Sequence, residues 1–253
     1  MKLLITADWH IDRYTAGLRR LPDLHRAALE TVRYAIENEV DNYIHLGDMM
    51  NADSGSCVFE CLEVWLHLAA LLAESGVQSH WLSGNHDVIE DGTGHTTLSP
   101  LHAFSRMFKS VHVHTNHGFS DMYLRDGRTP PERVMLLTLP FVPSMRAYDP
   151  LEVVQRCLCK AVAGMTVVIA GHMTDIPGIL PGSETKDMAR GRGIRFPREE
   201  AIALAKEHNI KLLMFNGHFH ERQCFKGIHI PGSLERLTFG ESHHQPGFIL
   251  AEV

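Results

Sequence analysis

Five times along this 253-residue chain, a short apolar run stops at aspartate, asparagine or histidine. Residues 2–6 lead to Asp8 and His10, residues 43–46 to Gly47-Asp48, and residues 77–82 to Gly84-Asn85-His86-Asp87. Residues 166–170 lead to Gly171-His172, and residues 211–215 to Asn216-Gly217-His218-Phe219-His220. Short apolar runs bounded by turn-forming residues read as buried strands. Between them lie segments with helical spacing: residues 22–39, with Ala28, Leu29, Val32, Ala35 and Ile36 on one face, then 57–75, 151–162 and 197–208. This alternation predicts one α/β domain over residues 1–253. Residues 111–140 read as antiparallel strands around an Asp126-Gly127 turn, and residues 224–253 as short strands and turns. In an open α/β sheet, sites form beyond the carboxyl ends of the strands, where successive loops converge. A turn alone would account for Gly84, Asn85 and Asp87. Five strand ends of one chemical kind call for a shared centre.

The residue types narrow that centre. Side chains two apart on an extended segment point to the same side, so Asp8 with His10, and His218 with His220, can each address one point. Carboxylate, imidazole and amide ligands suit manganese, iron, zinc or magnesium better than a thiolate-loving metal. Asp8, His10, Asp48, Asn85, His172, His218 and His220 are too many for one tetrahedral zinc. They suit two divalent ions with Asp48 as the bridge. Two carboxylates against two such ions leave positive charge, which an anionic phosphoester would offset.

Composition excludes several alternatives. Hydrophobic residues make up 44% and charged residues 21%, as in an ordinary globular protein. The net charge of −6 gives no global attraction to nucleic acid or anionic membrane, so any phosphate-binding surface has to be local. No apolar run reaches 18 residues, and the start, MKLLITADWH, lacks a signal-peptide stretch. The five cysteines include no CxxC pair and read as reduced thiols of a cytoplasmic protein.

Taken in order, ADWH, LGDMM, SGNHD, AGHMTD and NGHFH resemble the motif series of the calcineurin-like metallophosphoesterases, over residues 6–220. The resemblance implies a four-layer α/β/β/α sandwich of two sheets flanked by helices. It implies one ion held by Asp8, His10, Asp48 and His220, and a second held by Asp48, Asn85, His172 and His218. It also gives His86 the role of the acid that faces substrate and protonates the leaving oxygen. Asp87 is expected to orient a neighbouring imidazole. The start LLITADWHID and the tail IHIPGSLERLTFGE are further similar to SbcD-type DNA repair exonucleases, which implies Mn2+, DNA as substrate and an SbcC-type ATPase partner. The chain departs from that pattern in two ways. It stops at Val253, where a DNA-binding cap and partner-binding helices are expected to be missing, and Asn51 stands where a histidine often follows the G-D motif. Both departures weigh on the ATPase partnership and leave the catalytic core intact.

Arginines supply the local positive charge. Arg190, Arg192, Arg195 and Arg198 lie in or beside a long Gly-rich loop, and Arg13, Arg19, Arg20 and Arg26 follow the first motif. Either group could clamp backbone phosphates or simply form a solvated face. Trp9, between two ligands, could stack on a base or pack. A DNA nuclease is therefore the leading expectation, with a small-substrate phosphodiesterase or phosphatase and a non-catalytic metal-binding protein as alternatives. A homodimer is left open.

Overall fold

Strand β1 (Lys2–Thr6) divides its side chains between two buried layers: Leu4 faces helices, while Leu3 and Ile5 face a second sheet. Both faces are apolar, so the strand reads as a continuous run, as expected of a parallel sheet covered on both sides. The computed structural model describes residues 1–52, 55–89, 93–142, 148–179 and 195–253. After β1 come a small hairpin, β2 (Tyr14–Thr15) and β3 (Leu18–Arg19), helix α1 (Leu21–Glu37), β4 (Asn42–His45), α2 (Val58–Glu74) and β5 (Gln78–Leu82). Next are α3 (Ser99–Met107), β6 (Val111–His114), β7 (Gly118–Asp121), β8 (Val134–Leu139), α4 (Pro150–Leu158) and β9 (Thr166–Gly171). The chain continues through α5 (Arg198–Glu207), β10 (Lys211–Asn216), β11 (Gln223–Phe225), β12 (Ile228–Ile230) and β13 (Ile249–Glu252).

The first sheet has the order β13-β1-β4-β5-β6, parallel except for β13. The second has the order β11-β12-β10-β9-β8-β7, with β12, β10, β9 and β8 parallel. Helices α1, α2 and α3 bury Ala28, Val32, Trp65, Leu68 and Leu101 against the outer face of the first sheet. Helices α4 and α5 bury Val153, Cys157, Ala201 and Ala205 against the second. Ile5, Ile44, Leu136, Val168, Ala170 and Phe215 fill the layer between the sheets. The result is the expected α/β/β/α sandwich. Every expected ligand lies at or beyond the carboxyl end of a parallel strand.

Two local expectations are corrected. Residues 111–140 do not form one antiparallel set. β6 pairs in parallel with β5 in the first sheet, and only β7 with β8 makes the antiparallel pair, in the second. The alternation Val111-His112-Val113-His114 marks a strand with one face on the helix layer, but carries no signal for which sheet receives it. Helix α3 was not expected. It holds a single fully buried residue, Leu101, so its apolar period is too short to read.

The inward face of β5 and β6 carries a histidine cluster. His80 stacks on His112 and His114, with ring centroids 4.6 and 5.4 Å away. Its Nδ1 lies 3.2 Å from Nε2 of His114, and its Nε2 lies 3.1 Å from Oδ1 of Asn42. His112 Nε2 meets Gln78 Oε1 at 3.1 Å. Burial, reinforced by the neighbouring imidazoles, holds His80 well below its ordinary pKa and pushes His114 down to about 3. The folded chain therefore keeps these rings neutral where the unfolded chain would protonate them. The stability they contribute is complete above the unfolded value of 6.5 and is lost as pH falls toward the folded value. For His114 alone the loss by pH 5 is on the order of 2 kcal/mol. Urea unfolding should show that His114→Gln flattens the decline in stability between pH 7 and pH 5 by about that amount; an unchanged slope would mean that His114 is already protonated in the fold.

Candidate metal centre

The loops beyond the strand ends turn sharply, and the ligand residues themselves make the turns. Asp8, His10, Asp48 and His218 have φ of 52°, 43°, 59° and 75°, in the left-handed region. Aspartate and histidine visit this region more readily than branched residues, and the conformation costs on the order of 1 kcal/mol or more at each position. It aims the side chains inward. Glycine supplies the close approaches: a Cβ on Gly84 would lie 2.1 Å from Oδ1 of Asp48, and one on Gly47 would lie 2.5 Å from Nδ1 of His172.

All seven expected ligands meet in one place. Asp8, His10 and His220 bring donor atoms within 4.8 Å of one another, as do Asp48, His172 and His218. Asp48 Oδ2 lies 3.7 Å from Nε2 of His10 and 3.4 Å from Nε2 of His172, so it stands between the two groups. Asn85 Oδ1 completes the second group, 3.0 Å from His172 Nε2 and 2.9 Å from His218 Nδ1. On the other side, Nε2 of His220 and Nε2 of His10 face each other at 3.2 Å. Asp48 is fully buried and its Oδ2 makes no hydrogen bond, an arrangement that a bound cation would satisfy. The donor set fits two divalent ions sharing Asp48. Burial opposes ionisation of Asp48, but the His172 and His86 imidazoles outweigh it and hold the carboxyl well below its ordinary value.

The ligands are held from behind. His172 Nδ1 donates to the Leu46 carbonyl at 2.7 Å, leaving Nε2 toward the centre. His220 Nδ1 lies 3.0 Å from Oε1 of buried Glu241, whose other oxygen accepts from the backbone of Leu237 and Thr238. A carboxylate behind a ligating imidazole fixes its tautomer and raises its basicity. Asn216 straps the second sheet by accepting from Met173 N and donating to the Met173 and Gly217 carbonyls. Asp87 corrects an expectation: among the described residues, its hydrogen-bond partners include no imidazole. Its carboxylate accepts from the backbone N–H of Asp48, Met49, Met50 and Gly84, and from the Thr97 hydroxyl. It ties the loop after β4 to the loop after β5.

His86 lies beside the first group, its ring edge-on to His10 at 4.9 Å. Its Nδ1 donates to Asn51 Oδ1 at 2.5 Å, while Asn51 Nδ2 and N donate to the Asp12 carboxylate at 2.6 and 3.1 Å. This chain of bonds commits Nδ1 of the imidazole to Asn51. Sequence reasoning marked Asn51 only as a departure and passed over Asp12 and Glu241 as functional residues. The remaining expectations divide. Trp9 packs: it is fully buried, donates from Nε1 to Thr6 and sits edge-on to His45 and Trp81. Arg19 pairs with Glu60, Arg20 with Asp23 and Glu235, and Arg26 with Asp23, which favours a solvated ion-paired face over a clamp. Arg195 is exposed, and its backbone bridges to Asp175, three residues beyond His172. Arg190 and Arg192 lie outside the described residues. Among the described residues, no helix is long and apolar enough to cross a membrane.

A carboxylate-bridged, histidine-rich pocket at the strand ends of a four-layer sandwich is the frame of a dimetal hydrolase. Residues 1–222 match the calcineurin-like phosphoesterase family, and the chain belongs to it. Its fold is similar to that of a dimetal phosphatase from Danio rerio, at 12% identity and a TM-score of 0.55 over 99% of this chain and 91% of the other. It is also similar to the Thermus thermophilus protein TT1561, at 12% identity and a TM-score of 0.51 over 92% and 89%. A purple acid phosphatase from yellow lupin seeds (Lupinus luteus) matches at 17% identity and a TM-score of 0.50, over 88% of this chain and 39% of that one.

Because Asp48 is the ligand common to both groups, Asp48→Asn should remove most bound divalent metal. Ions that bind only the folded state raise its stability, so chelation should lower the melting temperature. Elemental analysis and thermal scans with and without chelator measure both effects; full metal occupancy in Asp48→Asn would exclude the bridge.

Proposed function

We propose that this protein is a two-metal-dependent phosphodiesterase acting on DNA, an SbcD-like exonuclease and single-strand endonuclease that works with Mn2+. The observation that carries the hydrolytic reading is the convergence of seven ligand side chains beside His86, itself oriented through Asn51 and Asp12. The preference for DNA is supported by the resemblance of its tail to that of SbcD-type enzymes. Glu241 of the Phe-x-Glu element backs His220, and Ser233 of the Pro-Gly-Ser element donates its N–H to the His220 carbonyl at 3.1 Å. Arg195, exposed and bridged through its backbone to Asp175, three residues after His172, would add a phosphate contact of the kind that positions nucleic acid. An SbcC-type ATPase partner and a cytoplasmic location belong to the same reading.

The protein's part in the chemistry follows from the geometry. Asp8, His10, Asp48 and His220 would hold one ion, and Asp48, Asn85, His172 and His218 the other. Such a pair supplies Lewis acidity at phosphorus and an activated water. His86 donates from Nδ1 to Asn51, so it can protonate the leaving oxygen only as the imidazolium, giving up the proton on Nε2 and returning to the neutral Nδ1–H tautomer that Asn51 holds. The Asp12–Asn51 pair keeps the ring from rotating while it does so. Asp87 holds the loops after β4 and β5 in register, so that Asp48 and His86 keep their spacing. A small diester would meet the same groups, which makes a nucleotide-directed phosphodiesterase or phosphatase the alternative.

Removing the acid tests His86. His86→Ala should retain near wild-type metal content and slow turnover about 10²–10⁴-fold. The loss should shrink on p-nitrophenyl esters, whose leaving group needs little protonation; equal losses on good and poor leaving groups would reduce His86 to positioning substrate.

The choice of substrate is decided by manganese-dependent turnover of labelled single- and double-stranded DNA beside bis(p-nitrophenyl) phosphate. Replacing Arg190, Arg192 and Arg195 together by alanine should weaken DNA binding and leave hydrolysis of the small diester near wild type. The slope of log K against log salt should fall by about 0.9 per lost contact on duplex, or about 0.7 on single strands. Protein that hydrolyses the diester and never shortens or nicks DNA sinks the nuclease reading.

A further inference from the structure

Among the described residues, one group of side chains outside the central pocket has the chemistry of a ligand set and no part in the mechanism. Glu221, His243 and His244 bring one donor atom each within 4.8 Å of one another. His244 is 4% exposed, its Nε2 lies 3.9 Å from Oε2 of Glu221, and its buried Nδ1 makes no hydrogen bond. The imidazole is thus enclosed with one nitrogen unpaired, beside a carboxylate too distant for a direct hydrogen bond. His243 is exposed and edge-on to His244, with ring centroids 4.6 Å apart.

The backbone around these residues is fixed. His244 N donates to Glu241 O at 2.9 Å, and Arg236 Nε donates to His244 O at 3.1 Å. Glu221 directly follows His220 and so sits on the segment that carries a central ligand. We propose that Glu221, His243 and His244 form a third divalent-cation site, of the zinc class, separate from the dinuclear centre. Two neutral imidazoles and one carboxylate leave a bound divalent ion with one net positive charge and an open position for water, a combination that suits zinc better than magnesium or calcium. Its consequence lies in the turn it closes. Residues 237–244 also carry Glu241, which backs His220. An ion between Glu221 and His243-His244 clips that turn to the segment after β10, and holds the Glu241 carboxylate against the ligand it orients.

The site does not depend on the hydrolytic reading, and the experiment keeps the two apart. Zinc equivalents are measured by equilibrium dialysis and elemental analysis for the wild-type chain and for Asp48→Asn, each with and without His243→Ala. The expected result is that His243→Ala removes one equivalent from either background, or weakens it at least about 10–100-fold, the cost of losing even an outer partner of a metal ligand. Glu221→Gln should do the same, with an unchanged melting temperature in chelator showing that both variants fold. Equal zinc binding with and without His243 overturns the proposal. Equal binding by the wild-type chain and Asp48→Asn strikes instead at the dinuclear centre, while the His243 comparison still decides the third site.

Discussion

The Asp87 carboxylate is the joint on which the centre depends. It is fully buried and takes four backbone amides and one hydroxyl, which offset part of the burial and of the Asp48 charge that push its pKa up to about 6. The amides come from the loops that carry Asp48 and Asn85. Without this carboxylate, several N–H groups would lie buried and unpaired, at a cost of about 1–3 kcal/mol each. The glycines at 47 and 84 make the same junction on the steric side, because it closes only where no Cβ intervenes.

From that joint the site builds outward in both directions. Leu46 and Glu241 anchor His172 and His220 through the nitrogen that faces away from the centre. Asp12 and Asn51 do the same for His86. Each of these imidazoles thus has one nitrogen committed to the scaffold and the other turned to the pocket. A single design rule, applied from both sheets, sets their tautomers.

The ligands were legible in the sequence because parallel strands buried on both faces read as apolar runs, and their carboxyl ends are where such folds place chemistry. Asp8, Asp48 and His172 each follow a run of that kind within a few residues. What escaped reading is what three-dimensional contact decides. Glu241 meets His220 across 21 positions, and Asn51 meets His86 across 35. No local periodicity links such pairs. Asp87 reads as an imidazole partner or, nearly as well, as a turn residue, and only the amides around it show that it ties two loops together. The sheet assigned to residues 111–114 escaped for the same reason.

The strained aspartates and histidines have one more consequence. Their left-handed backbones are held by hydrogen bonds between protein groups, so the turns that aim the ligands do not draw their hydrogen bonding from an ion. Folding would then exercise little choice over which metal is taken. Selection falls to intrinsic affinity and supply. For nitrogen and oxygen donors that affinity rises from manganese through iron to copper and remains high for zinc. A pocket held in this way would take the tighter-binding ion whenever both are offered equally, so its metal content would follow what its surroundings supply.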